Sequence, residues 1–264
     1  MTKCDKCQSS VIIYQKYSGM RLCQAHFDQD VHRKIRESLR ETGLFGRGAH
    51  VALALDGGKD SASMAFILKG IFRNRRDIDF VAIIIDEEGA LAKPARLIAE
   101  RLEIPYVEKR LPTPPLPEIA HQDACSGFDT TTQRMEHLIS LAQEMKASVL
   151  ATGHNLDDEA TDVFISYLWG DVDGLLGHGP GIREVGKIPW IKPLRRIPEK
   201  EVRLFAIRHG LAYSDVARRD PFRTEAKRHL CNFDSRHPGT KYSLLRGQEK
   251  MSRHKAGDPQ GQSL

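Results

Sequence analysis

Apolar positions along the chain follow two alternating periods. From residue 50 onward, near-continuous apolar runs, "HVALAL", "DFVAIIID", "IPYVEKR" and "SVLAT", are each followed by a stretch in which apolar residues recur every three to four positions. The runs read as buried strands and the stretches as helices, over about 60–72, 92–102, 130–146 and 156–168. This alternation predicts an α/β fold, a parallel sheet with helices on both faces, whose ligands gather at the carboxyl ends of the strands. Before it, Val31, Ile35 and Leu39 mark one face of a charged helix over 30–42. After it, the pattern predicts a helix from Pro198 to His209, a strand at "LAYSDV", a helix over about 222–235 and a polar, disordered tail. The expected segments are a module at 1–28, a linker helix at 29–48, the sheet domain at 49–190, a helical part at 191–247 and a flexible tail at 248–264.

No window approaches the ~18 uninterrupted apolar residues of a membrane span, so no membrane partner is expected. Five cysteines, three of them before residue 24, are too few and too clustered for a disulfide framework, and a cytoplasmic setting is expected. Net charge is +5, a mild excess that by itself argues little. Its concentrations at "RNRRD", at "KPLRR" and at Arg218, Arg219, Arg223, Lys227 and Arg228 read equally as solvated faces or as a phosphate-backbone footprint.

Cys4-x-x-Cys7, fifteen intervening residues, and Cys23-x-x-His26 form two tight pairs, and "QSSVIIYQKYSGMRL" between them reads as a hairpin. Four protein ligands at this spacing predict a structural Zn²⁺, which replaces the core that so short a module cannot bury.

The other chemical signal is "DGGKDS" at the exit of the first strand. It matches neither the Walker A pattern nor the dinucleotide G-x-G-x-x-G. It still reads as an anion cradle: Gly57 and Gly58 permit close backbone approach, the next helix offers its N-terminus, and Lys59 and Ser61 add a charge and a hydroxyl. Paired acids at Asp157 and Asp158, after a later strand, suit metal or phosphate handling or an acidic first helical turn. His154 reads as a phosphate contact or a turn residue.

The loop resembles the PP-loop of the N-type ATP pyrophosphatases, Ser-Gly-Gly-x-Asp-Ser. "YSGMRLCQAHF", "IIIDEEG", "ATGHNLDDEA", "IKPLRRIPEKE" and "HPGTKYSLLRG" narrow the resemblance to the archaeal tRNA 2-thiouridine synthetases of TtuA/NcsA type, over nearly the whole chain. The resemblance implies that residues 49–190 form the ATP-binding domain, with Asp56, Gly57, Gly58, Lys59, Asp60 and Ser61 at the phosphates, and that the helical part at 191–247 faces RNA. It implies further that Ala54 and Ile85 flank adenosine, that Arg134, Gly153, His154 and Asp158 contact nucleotide, and that Asp60 and Asp158 hold Mg²⁺ or orient the reacting oxygen. The implied reaction adenylates a uridine carbonyl of tRNA so that sulfur can replace the oxygen. A sulfur carrier or desulfurase and a homodimer are the implied partners.

Two departures stand out. Relatives carry three cysteines for a [4Fe–4S] cluster, a pair before Arg134 and one in Cys-Pro-Tyr. Here the pair's positions are Gly127 and Thr130, the third motif reads Asp220-Pro221-Phe222, and Cys125 is out of register by two. A cluster wants thiolate at its irons, so none is expected. Cys125 is then the candidate carrier of a persulfide, against an incidental loop thiol. Asp56 stands where the family has serine. A carboxylate facing phosphate repels it by roughly 4 kcal/mol at ~4 Å and an effective dielectric of ~20, about a thousandfold in affinity. Either its side chain points away and caps the helix start, or it joins Asp60 on Mg²⁺. Other readings are an adenylating enzyme for a small-molecule or protein acceptor, and a non-catalytic paralogue binding nucleotide or RNA.

Overall fold

The computed structural model describes residues 2–46, 48–86, 92–110, 127–177, 182–185, 188–215 and 220–255, with backbone alone for 127–133, 177, 182–185 and 255. At the N-terminal end, β1 (Ile13–Gln15) and β2 (Met20–Leu22) form the expected antiparallel hairpin, Ile13 opposite Leu22. Helix α1 (Gln24–Thr42) begins inside the cysteine/histidine module and ends at Gly43 in the left-handed region. It therefore crosses the expected 28/29 boundary without a break. Phe27, Val31, Ile35 and Leu39 are buried along one face, as a helical period requires.

Beyond α1, β3 (Ala49–Leu55), β4 (Ile78–Asp86), β5 (Tyr106–Arg110), β6 (Val149–Ala151), β7 (Ile182–Val185) and β8 (Ile188–Ile191) form one six-stranded sheet in the order β5-β4-β3-β6-β8-β7. The first five in that order run parallel, and β7 pairs antiparallel with β8 at the edge. The pleat sends Val51, Leu53, Leu55, Phe80, Ala82 and Ile84 into one apolar cluster, and Ala52, Ala54, Val81, Ile83 and Ile85 into the other. Both faces are covered, which is why these strands read as runs rather than alternations. Helices α2 (Lys59–Ile71), α3 (Ala92–Arg101), α4 (Gly127–Glu144) and α5 (Leu156–Trp169) follow β3, β4, β5 and β6 in turn. The chain moves outward from β3 to β5, then returns to place β6 on the other side of β3. The loops after β3 and β6 thus diverge at a switch point, where open α/β sheets form their ligand crevice.

The remaining helices, α6 (Val172–Gly177), α7 (Glu199–Arg208), α8 (Pro221–Arg236) and α9 (Thr240–Lys255), close the structure, with α7 against α2 and both α8 and α9 against α5. Two expectations are corrected here. Residues 211–215 of "LAYSDV" form no strand; the backbone N–H of Ser214 donates instead to the Gly57 carbonyl at 2.8 Å, holding the glycine loop. The flexible tail expected from residue 248 is also corrected, because Gln248 to Lys255 continue α9. Polar composition misled: Gln248 is buried and donates to the Leu175 carbonyl, and Glu249 accepts from Arg195 at 2.6 Å. Residues 256–264 lie outside the described residues.

A buried polar cluster fixes the N-terminal module to the body. Glu201, fully buried at the start of α7, accepts from Tyr17 Oη at 2.8 Å and Gln15 Nε2 at 3.1 Å. Lys34 lies 2.9 Å from Asp30 and 3.5 Å from Glu201. Burial pushes the Glu201 carboxyl up from its usual range, with Lys34 only partly offsetting it.

Candidate functional site

The metal module assembles as its spacing predicts. Sγ of Cys4, Cys7 and Cys23 and a ring nitrogen of His26 all lie within 4.8 Å of one another. His26 Nδ1 is 3.5 Å from Cys4 Sγ and 3.3 Å from Cys23 Sγ, and Cys7 Sγ is 3.6 Å from Cys23 Sγ. A tetrahedral ion with metal–sulfur bonds of ~2.3 Å and a metal–nitrogen bond of ~2.0 Å needs ligand atoms roughly 3.5–3.8 Å apart, so the set fits a closed, four-ligand metal site. The hairpin brings Cys4 and Cys7 to the first turn of α1, where Cys23 is the N-cap and His26 the third helical residue.

The second centre lies at the switch point. Gly57 takes φ of 76°, a left-handed turn that carries the chain from β3 into α2, and Gly58 is the N-cap of that helix. Across the crevice, Gly153 follows β6. A Cβ there would stand 2.7 Å from Ser61 N and 2.9 Å from the Asp60 carbonyl carbon, so only glycine lets the two loops touch. The next residue but one, Asn155, joins both sides. Its Oδ1 accepts from the N–H groups of Asp157 and Asp158, capping α5, while Asp158 Oδ2 accepts from the Asn155 N–H at 3.1 Å. Its Nδ2 donates to Asp60 Oδ1 at 3.0 Å. Asp60 and Asp158 are thereby held by one residue.

Two lysines and a third acid complete the cluster. Lys59 Nζ lies 2.8 Å from Asp60 and 2.7 Å from Glu199, and Lys227 Nζ lies 2.9 Å from both Asp158 and Glu199. Burial raises the Asp60 carboxyl to about 6; Lys59 opposes this and neighbouring Asp158 adds to it. Burial pushes Asp158 the same way, but Lys227, His154 and Arg223 together outweigh it and hold Asp158 below the ordinary carboxylate range. Two acids of one type thus sit at different proton affinities, as acid–base or metal chemistry requires. The donor set is all oxygen, which suits a hard cation such as Mg²⁺.

Asp56 makes its contacts within its own loop. Its Oδ1 accepts from the Gly58 N–H at 3.0 Å and from Ser61 Oγ–H at 2.5 Å. It thus bonds at the helix start, but it faces the cradle and does not point away from it. Asp157 turns away from Asp158, into the interior: it accepts from the Glu199 N–H at 2.8 Å and pairs with Lys241. His154 is half-buried, its Nδ1 2.8 Å from Thr152 Oγ1 and its ring edge-on to Trp190. Burial and then Lys192 lower its proton affinity. Ala54 and Ile85 lie on the α4 side of the sheet near the carboxyl ends of β3 and β4, and Arg134 lies on α4 itself. Cys125 lies outside the described residues.

Much of the basic charge at 192–196 and on α8 is paired internally, while Arg228 stays exposed beside Glu225. Lys192 binds Glu159, Arg195 binds Glu249, Arg196 binds Glu41, Arg223 binds Asp162 and Lys227 binds Asp158. Sequence reasoning missed Asn155 and Glu199. The Asn155-x-x-Asp158 spacing carried the capping-box signal for the first; nothing local marks Glu199, which reaches the site only through the fold.

Such a crevice, with a glycine turn after the first strand and acids after the fourth, on a five-strand parallel sheet, defines a PP-loop ATPase-like protein with an N-terminal metal module. A family model described as the 2-thiouridine synthetase TtuA N-terminal LIM domain matches residues 3–28. The tRNA 2-thiolation protein NcsA of Haloferax volcanii is 30% identical over 98% of this chain and 90% of its own length. The tRNA-5-methyluridine(54) 2-sulfurtransferase of Pyrococcus horikoshii is 28% identical, over 95% of this chain and 83% of its own. The solved U34-tRNA thiolase NcsA from Methanococcus maripaludis, with its [4Fe-4S] cluster, superposes at a TM-score of 0.85 with 32% identity, covering 96% of this chain and 88% of that one. The chain belongs to the TtuA/NcsA-like tRNA 2-thiolation family.

Proposed function

We propose that this protein is an ATP-dependent tRNA-thiolating enzyme that adenylates a uridine carbonyl and works without a [4Fe–4S] cluster. The observation that carries the ATP site is Asn155, which locks Asp60 and Asp158 together beside a glycine turn that Gly153 allows to pack without a gap. In this reading the backbone amides from Gly57 to Ser61, at a helix start, receive the phosphates of ATP once Asp56 releases the Gly58 N–H. Ala54 and Ile85 flank adenosine, Arg134 and His154 border the nucleotide, and Asp60 and Asp158 hold Mg²⁺, which when bound neutralises phosphate charge. Lys59 and Lys227 stand where charge develops as pyrophosphate leaves. The uridine oxygen attacks the α-phosphorus, pyrophosphate departs, and a sulfur nucleophile then displaces AMP. Cys125 remains the proposed persulfide carrier, supplied by a sulfur carrier or desulfurase. The closed metal site is read as structural zinc.

The cluster proposal rests on donor chemistry. Asp220 occupies the Cys-Pro-Tyr position, and its Oδ1 caps α8 by accepting from the Arg223 N–H at 3.0 Å. Cys231 is half-buried against Lys241 and Asp157, and burial pushes its thiol up, away from the thiolate a ligand needs. The test is anaerobic purification with zinc, iron and sulfide analysis, then AMP release and thionucleoside formation with bulk tRNA. One zinc, no stoichiometric iron and tRNA-dependent AMP support the proposal. About four irons per chain would remove the cluster-free part, and AMP release indifferent to tRNA would point to another acceptor.

A further inference from the structure

The loop assigned above to phosphate already holds an anion, and that anion belongs to the chain. Asp56 Oδ1 takes the Gly58 N–H at 3.0 Å and the Ser61 hydroxyl at 2.5 Å, two donors that a phosphate oxygen entering the cradle would use. The same oxygen lies 3.2 Å from where a Cβ on Gly58 would stand, so the carboxylate covers the open side of that glycine. No cation among the described residues pairs with it; the loop's own Lys59 turns to Asp60 and Glu199 instead. Neutral donors alone satisfy the charge. The loop has little room to widen, because Ser214 N–H holds the Gly57 carbonyl at 2.8 Å on one side and Gly153 abuts Asp60 and Ser61 on the other.

We infer that Asp56 is an internal competitor for the phosphate cradle. Nucleotide enters by expelling the carboxylate from Gly58 and Ser61, and that exchange sets the affinity; the inference rests on the ATP-site reading above. Two anions about 4 Å apart at an effective dielectric of ~20 repel by a factor of about a thousand in affinity, an upper bound that side-chain rotation relieves. Removing the carboxylate therefore tightens binding of any ligand that brings phosphates and leaves one without them unchanged.

The test is calorimetric titration of the full chain and of Asp56→Ser and Asp56→Asn with adenosine, ATP and pyrophosphate, each with Mg²⁺ and with EDTA. Asp56→Ser is expected to tighten ATP and pyrophosphate at least tenfold under both conditions, with adenosine unchanged. Asp56→Asn, which keeps an acceptor for Gly58 but loses the charge, is expected to fall between. Equal or weaker phosphate binding by a folded Asp56→Ser overturns the inference while leaving the ATP site standing. Weakening confined to Mg²⁺ does the same and makes Asp56 a metal ligand. Failure of all three folded proteins to bind ATP overturns the ATP-site reading and this inference with it.

Discussion

Gly153→Ala tests the geometry of the switch point with a single methyl group. The added Cβ would meet Ser61 N at 2.7 Å, the Asp60 carbonyl carbon at 2.9 Å and Ser61 Cα at 3.0 Å. All three are backbone atoms, which cannot swing aside as a side-chain tip can. Ordinary contact requires the start of α2 to back away from β6 by about 1 Å, and overpacking of this kind costs about 1–3 kcal/mol. For a chain of this size that lowers the melting temperature by about 5 °C. The same shift moves the Gly57–Ser61 amides and the Asp60 carboxylate relative to Asp158, and about 1 Å of misplacement costs roughly a hundredfold in turnover. The assays are differential scanning calorimetry and AMP release at saturating ATP and tRNA. A variant that melts within about 1 °C of the parent and releases AMP at its rate would refute the packing argument.

Three further outcomes follow from the same structure. Because burial raises Asp60 to about 6, the folded state prefers it protonated; its contribution to stability is present below the ordinary carboxylate range and lost as pH rises through about 6. Asp60→Asn should therefore melt higher than the parent at pH 8, with the gap closing below pH 6, and Mg²⁺-dependent ATP binding by the parent should fall below pH 6 in calorimetric titrations. Cys23→Ser removes one ligand of the closed site and should abolish stoichiometric zinc by elemental analysis, together with a fall in the first thermal transition. Glu201→Leu takes the buried acceptor from the Tyr17 hydroxyl, leaves Gln15 Nε2 with Asp30 as its acceptor and removes one of the two acids beside Lys34, an expected loss of about 3 kcal/mol in urea unfolding.

The sheet was legible because its strands are buried on both faces, so "HVALAL" and "DFVAIIID" stand out against everything beside them. The four ligands of the metal module were legible because two short pairs need only a hairpin to bring them together. What escaped was whatever depends on contacts distant in sequence. Glu199 reaches Lys59 across 140 positions and Lys227 reaches Asp158 across 69, and no local pattern encodes either. Charge was only partly legible for the same reason: nothing in "KPLRR" distinguishes Arg195, buried against Glu249, from the partly exposed Arg196 beside it. The edge hairpin of β7 and β8 went unread, since "IPW" carries too few residues to show a period. "LAYSDV" has the alternation of a strand, but its backbone is engaged at Gly57 rather than along a sheet edge.

The central claim is that the amides from Gly57 to Ser61 hold a nucleotide's phosphates. A crystal structure with Mg²⁺ and an α,β-methylene ATP analogue tests it most directly. The account predicts the phosphates on those amides, adenosine between Ala54 and Ile85, and the Asp56 carboxylate displaced from Gly58. An analogue bound elsewhere, or an Asp56 still seated on Gly58 and Ser61 beside an ordered triphosphate, would contradict it.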